Sequence, residues 1–232
     1  MVSAQVPEYK FHPCYAIQYS HAIGMMTESS INGSTTISVY SSVWESNQNY
    51  EKQISSDTFL IRCCDRAISV CGFPPSPMSH DAHSEFVMDK YGNLISCKTI
   101  NDILDVDNVI LGFLPALTNL SFPIPRTFNQ DNAWKVSQRI SKTLPYEAII
   151  EYKIHKPDRL IEKGNLFSSI KITSPHSQSL KINGHGAIIF SLEKGIIIDK
   201  SIAFTTSGNV HGPGSETIPL KSVFWSHTSL IK

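Results

Sequence analysis

Charge is scarce in this chain: only 17% of its 232 residues are Asp, Glu, Lys or Arg, against roughly a quarter in most globular proteins. The twenty basic residues balance the twenty acidic ones. A neutral balance supplies no field to draw in nucleic acid or an anionic membrane surface, so neither is expected as a partner. Long hydrophobic runs are missing too. No stretch reaches the roughly 18 consecutive apolar residues of a membrane span. The opening residues Met1 to Tyr9 carry no basic region followed by an apolar core, so no signal peptide is expected. The compartment read from this is the cytoplasm if the chain is full length, and the cell envelope or outside if a leader has been removed.

Catalytic signatures are absent as well. There is no glycine-x-serine-x-glycine elbow, no phosphate loop and no dinucleotide fingerprint, which argues against an acyl hydrolase, a nucleotidase or a dehydrogenase. The reading leans away from an enzyme, with no catalytic, cofactor-binding or metal residue assigned and no cofactor expected. Five cysteines, Cys14, Cys63, Cys64, Cys71 and Cys97, are too few and too oddly numbered for a disulfide framework. Their free or bonded state stays open at this point. Cys63 and Cys64 are adjacent and so point to opposite faces of a strand, and one of the two, not both, is expected to be buried.

Strand signals fill the chain. Ile37, Val39 and Val43 alternate with polar and aromatic neighbours, a period of two that suits a sheet with one face buried. From Glu147 to His155 the alternation is cleaner, with Ala148, Ile150, Tyr152 and Ile154 on one side and Glu147, Glu151, Lys153 and His155 on the other. Further strands are predicted over Tyr15 to Met25, Thr58 to Val70, Leu166 to Thr173, Leu180 to Leu192, Ile196 to Thr205 and Ile218 to Trp225. A motif recurs in the two halves: Phe86 to Asp89, a turn with Gly92, then Leu94 to Cys97; and Ile188 to Leu192, a turn with Gly195, then Ile196 to Ser201. Each reads as a β-hairpin closed by a glycine.

One segment breaks the rhythm. Between Asn101 and Leu117 the apolar residues Ile103, Val106, Ile110, Phe113, Leu114 and Leu117 recur at steps of three and four, which predicts a helix ended near Pro115. Phe122-Pro123-Ile124-Pro125 then runs extended. The fold class expected is mainly β: two tandem antiparallel β units, as curved sheets or a sandwich, joined by one helix. Residues 1–100 form the first unit, 101–133 the helix and connector, and 134–232 the second, with a single domain as the alternative.

The order of a glycine hairpin, Phe122-Pro123-Ile124-Pro125, Asp131-Asn132-Ala133-Trp134 and a second glycine hairpin resembles an uncharacterised family of bacterial cell-envelope β domains, over roughly residues 80 to 206. The resemblance implies no known chemistry. In architecture such domains are similar to the curved sheets that lipid carriers wrap around a helix. Phe190, Ile188, Ile198, Ile202 and Phe204 are the candidates to fill the interior.

Polar constellations weigh little. His185 in Gly184-His185-Gly186 and His211 in Val210-His211-Gly212-Pro213-Gly214 have glycine beside them, a setting typical of turns. Asp81, Glu85 and Asp89 flank a strand and are expected to be solvated. Asn32-Gly33-Ser34 and Asn119-Leu120-Ser121 fit the glycosylation acceptor pattern. Trp44, Trp134 and Trp225 are expected near strand edges, where an exposed one anchors an interface and Trp134 packs beneath the connector. The function read from all this is a non-enzymatic β-rich binding or assembly protein, possible as an oligomer, that contacts an apolar small molecule or a protein partner. A structural subunit of a capsid or filament is the alternative, and a metal-dependent hydrolase using His80 and His83 is a third reading.

Overall fold

A computed structural model describes residues 16–31, 33–72, 81–99, 122–125, 132–139, 147–155, 164–211 and 217–231. Eleven strands carry nearly all of them: β1 (Ala16–Ile31), β2 (Ser34–Ser55), β3 (Thr58–Gly72), β4 (Asp81–Asp89), β5 (Leu94–Thr99), β6 (Ala133–Arg139), β7 (Glu147–His155), β8 (Asn165–Thr173), β9 (Lys181–Ser191), β10 (Ile196–His211) and β11 (Thr217–Leu230). All pair antiparallel in one sheet of order β5-β4-β3-β2-β1-β11-β10-β9-β8-β7-β6. The chain is mainly β, as its alternation implied. The described residues contain no helix, and the one expected from Asn101 to Leu117 lies outside them. What joins the two strand sets is backbone pairing: β1 runs against β11 from Tyr19↔Leu230 to Ser29↔Leu220. Strand edges that would otherwise be open therefore satisfy each other.

Sheet curvature follows from burial. Alternate residues of β1 (Ile17, Tyr19, Ile23, Met25), β7 (Ala148, Ile150, Tyr152), β8 (Leu166, Ile170, Ile172), β10 (Ile202, Phe204) and β11 (Leu220, Phe224) belong to one apolar core together with Tyr50 of β2, Ile61 of β3 and Met88 of β4. Strands from both ends of an eleven-strand order share one interior only if the sheet curls. Among the predicted interior residues, Phe190, Ile188, Ile202 and Phe204 are buried. Ile198 is the exception: a bulge between Ile197 and Asp199 breaks the register of β9 and β10, and Ile197 takes the fully buried place.

Local chemistry sets the turns. Asp89 caps the β4–β5 turn, its Oδ1 accepting from the amides of Tyr91 and Asn93 at 2.9 Å each, and Gly92 supplies a φ of 81°. In the β9–β10 turn the Ser191 hydroxyl accepts from the Lys194 amide at 3.1 Å, and Gly195 has a φ of 64°. Both glycines thus close antiparallel hairpins, as the recurrent motif predicted. The extended Phe122 to Pro125 segment bridges the halves. Ile124 donates its amide to the Tyr91 carbonyl at 2.7 Å, and Phe122 packs against Trp134, Tyr152 and Phe190 with ring centroids 5.5–5.9 Å apart.

Candidate functional site

The apolar interior is interrupted by a polar row. His21 of β1, Thr228 of β11 and Lys200 of β10 stand in register, all buried. The His21 Nδ1 lies 2.9 Å from the Thr228 hydroxyl. Burial, with the charge of Lys200 added, holds His21 down at about 3. Burial alone pushes the Lys200 amine down to about 8. Next to the row the Tyr19 hydroxyl reaches past β11 to donate to the Ile197 carbonyl at 3.1 Å, and burial moves its proton loss far above the ordinary tyrosine value.

Further along the interior, Ser46 and Cys63 lie 2.8 Å apart. The buried Gln48 Nε2 and Thr206 Oγ1 have no hydrogen-bond partner among the described residues. Cys63 is buried and Cys64 half-buried, the division expected of adjacent strand residues. In the row the His21 imidazole lies against the Thr228 hydroxyl, and Lys200 is the register partner of Thr228 on its other side. On one side of the row the next inward rank is Ile23, Ser226 and Ile202, all buried, and beyond it the Phe204 and Phe224 rings lie 4.6 Å apart. Its chemistry is that of a satisfied polar layer fixing the register of β1, β11 and β10.

The predicted site residues are scattered. His185 is exposed on the outer face of β9, inside a strand and not in a turn. Its flanking glycines stand on the inward parity of β9 with Ile182 and Ile188, and β10 leaves no room there: a Cβ on Gly184 would overlap the Phe204 Cβ, and one on Gly186 the Ser201 carbonyl oxygen. Close strand packing, not a turn or a ligand, accounts for those glycines. Glu85 pairs with Arg62 at 2.7 Å, and Asp89 is the turn cap described above. The side chains of His80, His83, Asp81 and His211 lie outside the described residues, as does Asn119. Among the described residues no group of three or more His, Cys, Asp or Glu is placed to hold a metal ion. No described helix is long and apolar enough to cross a membrane.

The alternation of Ile37, Val39 and Val43 leaves open which face of the sheet they take. Ile37, Val39 and Val43 face outward at 60%, 55% and 36% exposure, because β2 turns Ser46, Gln48 and Tyr50 inward. They meet other outward residues: Met26 stands between Val39 and Val223, and Ala22 lies beside Val43. Trp225 reaches across from β11 onto β1, where a Cβ on Gly24 would sit 2.1 Å from its Nε1, and the indole is still 46% exposed. The outer faces of β7 and β9 are mostly polar, with Glu147, Glu151 and Lys153 on the first and Lys181, Asn183 and His185 on the second, and the other large exposed apolar residues, Ile54, Ile95 and Ile231, lie apart on β2, β5 and after β11. A contiguous exposed apolar patch on adjacent strands is the mark of a contact surface. Comparison with protein-family models and with curated proteins found no match for this chain.

Proposed function

We propose that the chain is a non-enzymatic binding or assembly protein and that the outer face of β2, β1 and β11 is where it meets a protein partner. The observation that carries this reading is the exposure of Met26, Val39, Val43, Val223 and Trp225 on adjacent strands in register. Of the two partner classes, an apolar small molecule is less well served. The interior positions that would cradle it, such as Ile188, Phe190, Ile172 and Phe224, are packed to 1% exposure or less. A capsid or filament subunit needs at least two unlike contact surfaces to propagate, whereas the described residues offer one apolar face.

The test is the size of the native chain in an extract of the cells that make it. The wild type is expected to migrate well above its 25.8 kDa. A Val39→Ser/Trp225→Ser variant, with the same far-ultraviolet β signal, is expected to migrate at the monomer mass. A wild type that travels as a monomer in that extract overturns the reading.

A further inference from the structure

The geometry points to a second copy of this chain as the occupant of the outer face, an inference that rests on the reading just given. The face is self-complementary in charge. Glu28 of β1 and Lys221 of β11 are register partners, and both are exposed at one end of the apolar patch. Moving along the same two strands, the pairs are Met26↔Val223 and then Gly24↔Trp225. Consider a two-fold axis parallel to the strands and lying between β1 and β11. It places each member of a pair over the other member in the second copy. Glu28 then faces the partner's Lys221, and Lys221 faces the partner's Glu28, which gives an alternating square of four charges in place of a like-charge clash. Met26 and Val223 stack apolar on apolar. The indole of Trp225 already hangs over Gly24, close to that axis, so two indoles meet at the centre of the contact, where aromatic anchors contribute most.

Other arrangements fit less well. An axis in the plane of the contact but perpendicular to the strands would set the charged end of the patch against the opposite end of the second copy, where Asp199 already holds His227 at 2.8 Å. Twenty acidic and twenty basic residues leave two copies with no net repulsion to overcome. The outside of a curled sheet is convex, so the contact is a ridge a few strands wide. Three strands about 4.8 Å apart and some eight residues of length give roughly 400 Å² a side, the size of a weak, transient contact. The dimer is therefore expected to form in the micromolar range.

Sedimentation velocity of the purified full chain from about 1 to 100 μM tests this. The mass is expected to rise from 25.8 kDa toward twice that value. Lys221→Glu and Glu28→Lys each set like charges against one another across the axis, and each is expected to remain monomeric at about 100 μM. Mixed in equal amounts, the two variants restore both opposite-charge contacts and are expected to recover the dimer. Recovery on mixing also shows that neither variant has simply lost its fold. A wild type that stays monomeric at about 100 μM overturns the inference, as does failure of the mixture to dimerise. Should the purified chain be monomeric while the form in the cell extract is large, the second copy is excluded and the protein-partner reading stands.

Discussion

The indole N–H of Trp134 donates to the carbonyl oxygen of Pro123 at 2.7 Å, tying the first residues of β6 to the extended segment that crosses between the halves. The same ring stacks on Tyr152 at 5.3 Å and 20° and touches Phe122 at 5.7 Å. Trp134→Ala removes the bond and both ring contacts, so it is expected to cost about 3 kcal/mol in chemical denaturation. Trp134→Phe keeps a ring in place and is expected to cost about 1 kcal/mol, near the worth of one hydrogen bond. Equal losses for the two would show that packing plays no part. Neither substitution is expected to change the size of the native particle.

Two glycines of different setting should respond differently. Gly184 faces the β10 backbone with no room for a methyl group, so Gly184→Ala is expected to push β9 and β10 apart and to cost more than about 3 kcal/mol. Gly33, in the β1–β2 turn, has open space around it but a φ of 76°. Gly33→Ala is expected to cost only about 1 kcal/mol from backbone strain. Thermal denaturation of the pair ranks them, and a Gly184→Ala chain as stable as Gly33→Ala would contradict the close approach of the strands.

The polar row makes stability depend on pH in a definite sense. Lys200 loses its proton at about 8 in the folded chain and at its ordinary 10.5 when unfolded. Between those values the unfolded chain binds more protons, so the contribution of Lys200 to stability rises with pH from 8 to 10, by about 3 kcal/mol. Above pH 10 the buried Tyr19 and Tyr152, which hold their protons longer when folded, turn the curve down again. Lys200→Met is expected to raise stability at pH 7 and to flatten the rise between 8 and 10. At the acid end, His21 stays neutral in the folded chain down to about 3 although it titrates at 6.5 when unfolded, so stability falls as pH drops through that window. Without the Lys200 charge beside it His21 protonates more readily, and the acid loss should shrink in the variant. Urea titrations at four or five pH values suffice, and a variant with the wild-type slope from 8 to 10 would remove Lys200 as its source.

Much of this architecture was legible in the sequence wherever one face of a strand is polar. The alternation from Glu147 to His155 sorted Ala148, Ile150 and Tyr152 inward correctly, and Gly92 and Gly195 marked hairpin turns that the structure contains. The candidate site was legible only in part, because periodicity fixes the spacing of faces and not their direction. Ile37, Val39 and Val43 alternate as a buried stripe would, yet they point out, since the same strand carries Ser46, Gln48 and Tyr50 into the interior. Ser46, Gln48 and Tyr50 alternate on the other parity of the same strand. The row of His21, Thr228 and Lys200 was illegible for another reason: its members lie up to 207 residues apart and meet through the β1–β11 pairing, which no local pattern announces. Asn32-Gly33 was read as an acceptor pattern, although Asn-Gly between strands is a strong hairpin signal. Ile31 pairs with Ser34 across that two-residue connection.

Oxidative footprinting with hydroxyl radicals probes the contact face most directly, because Met26 and Trp225 are both reactive and, at 49% and 46% exposure in the isolated chain, open to attack. In the native particle from cell extract, both are expected to be protected several-fold relative to the Val39→Ser/Trp225→Ser chain at Met26 and to the diluted wild type at Trp225, while His185 on the outer face of β9 is oxidised equally in all samples. If Met26 and Trp225 are oxidised in the native particle as fast as in the monomer, the face of β2, β1 and β11 is open to solvent there and is not where this protein meets its partner.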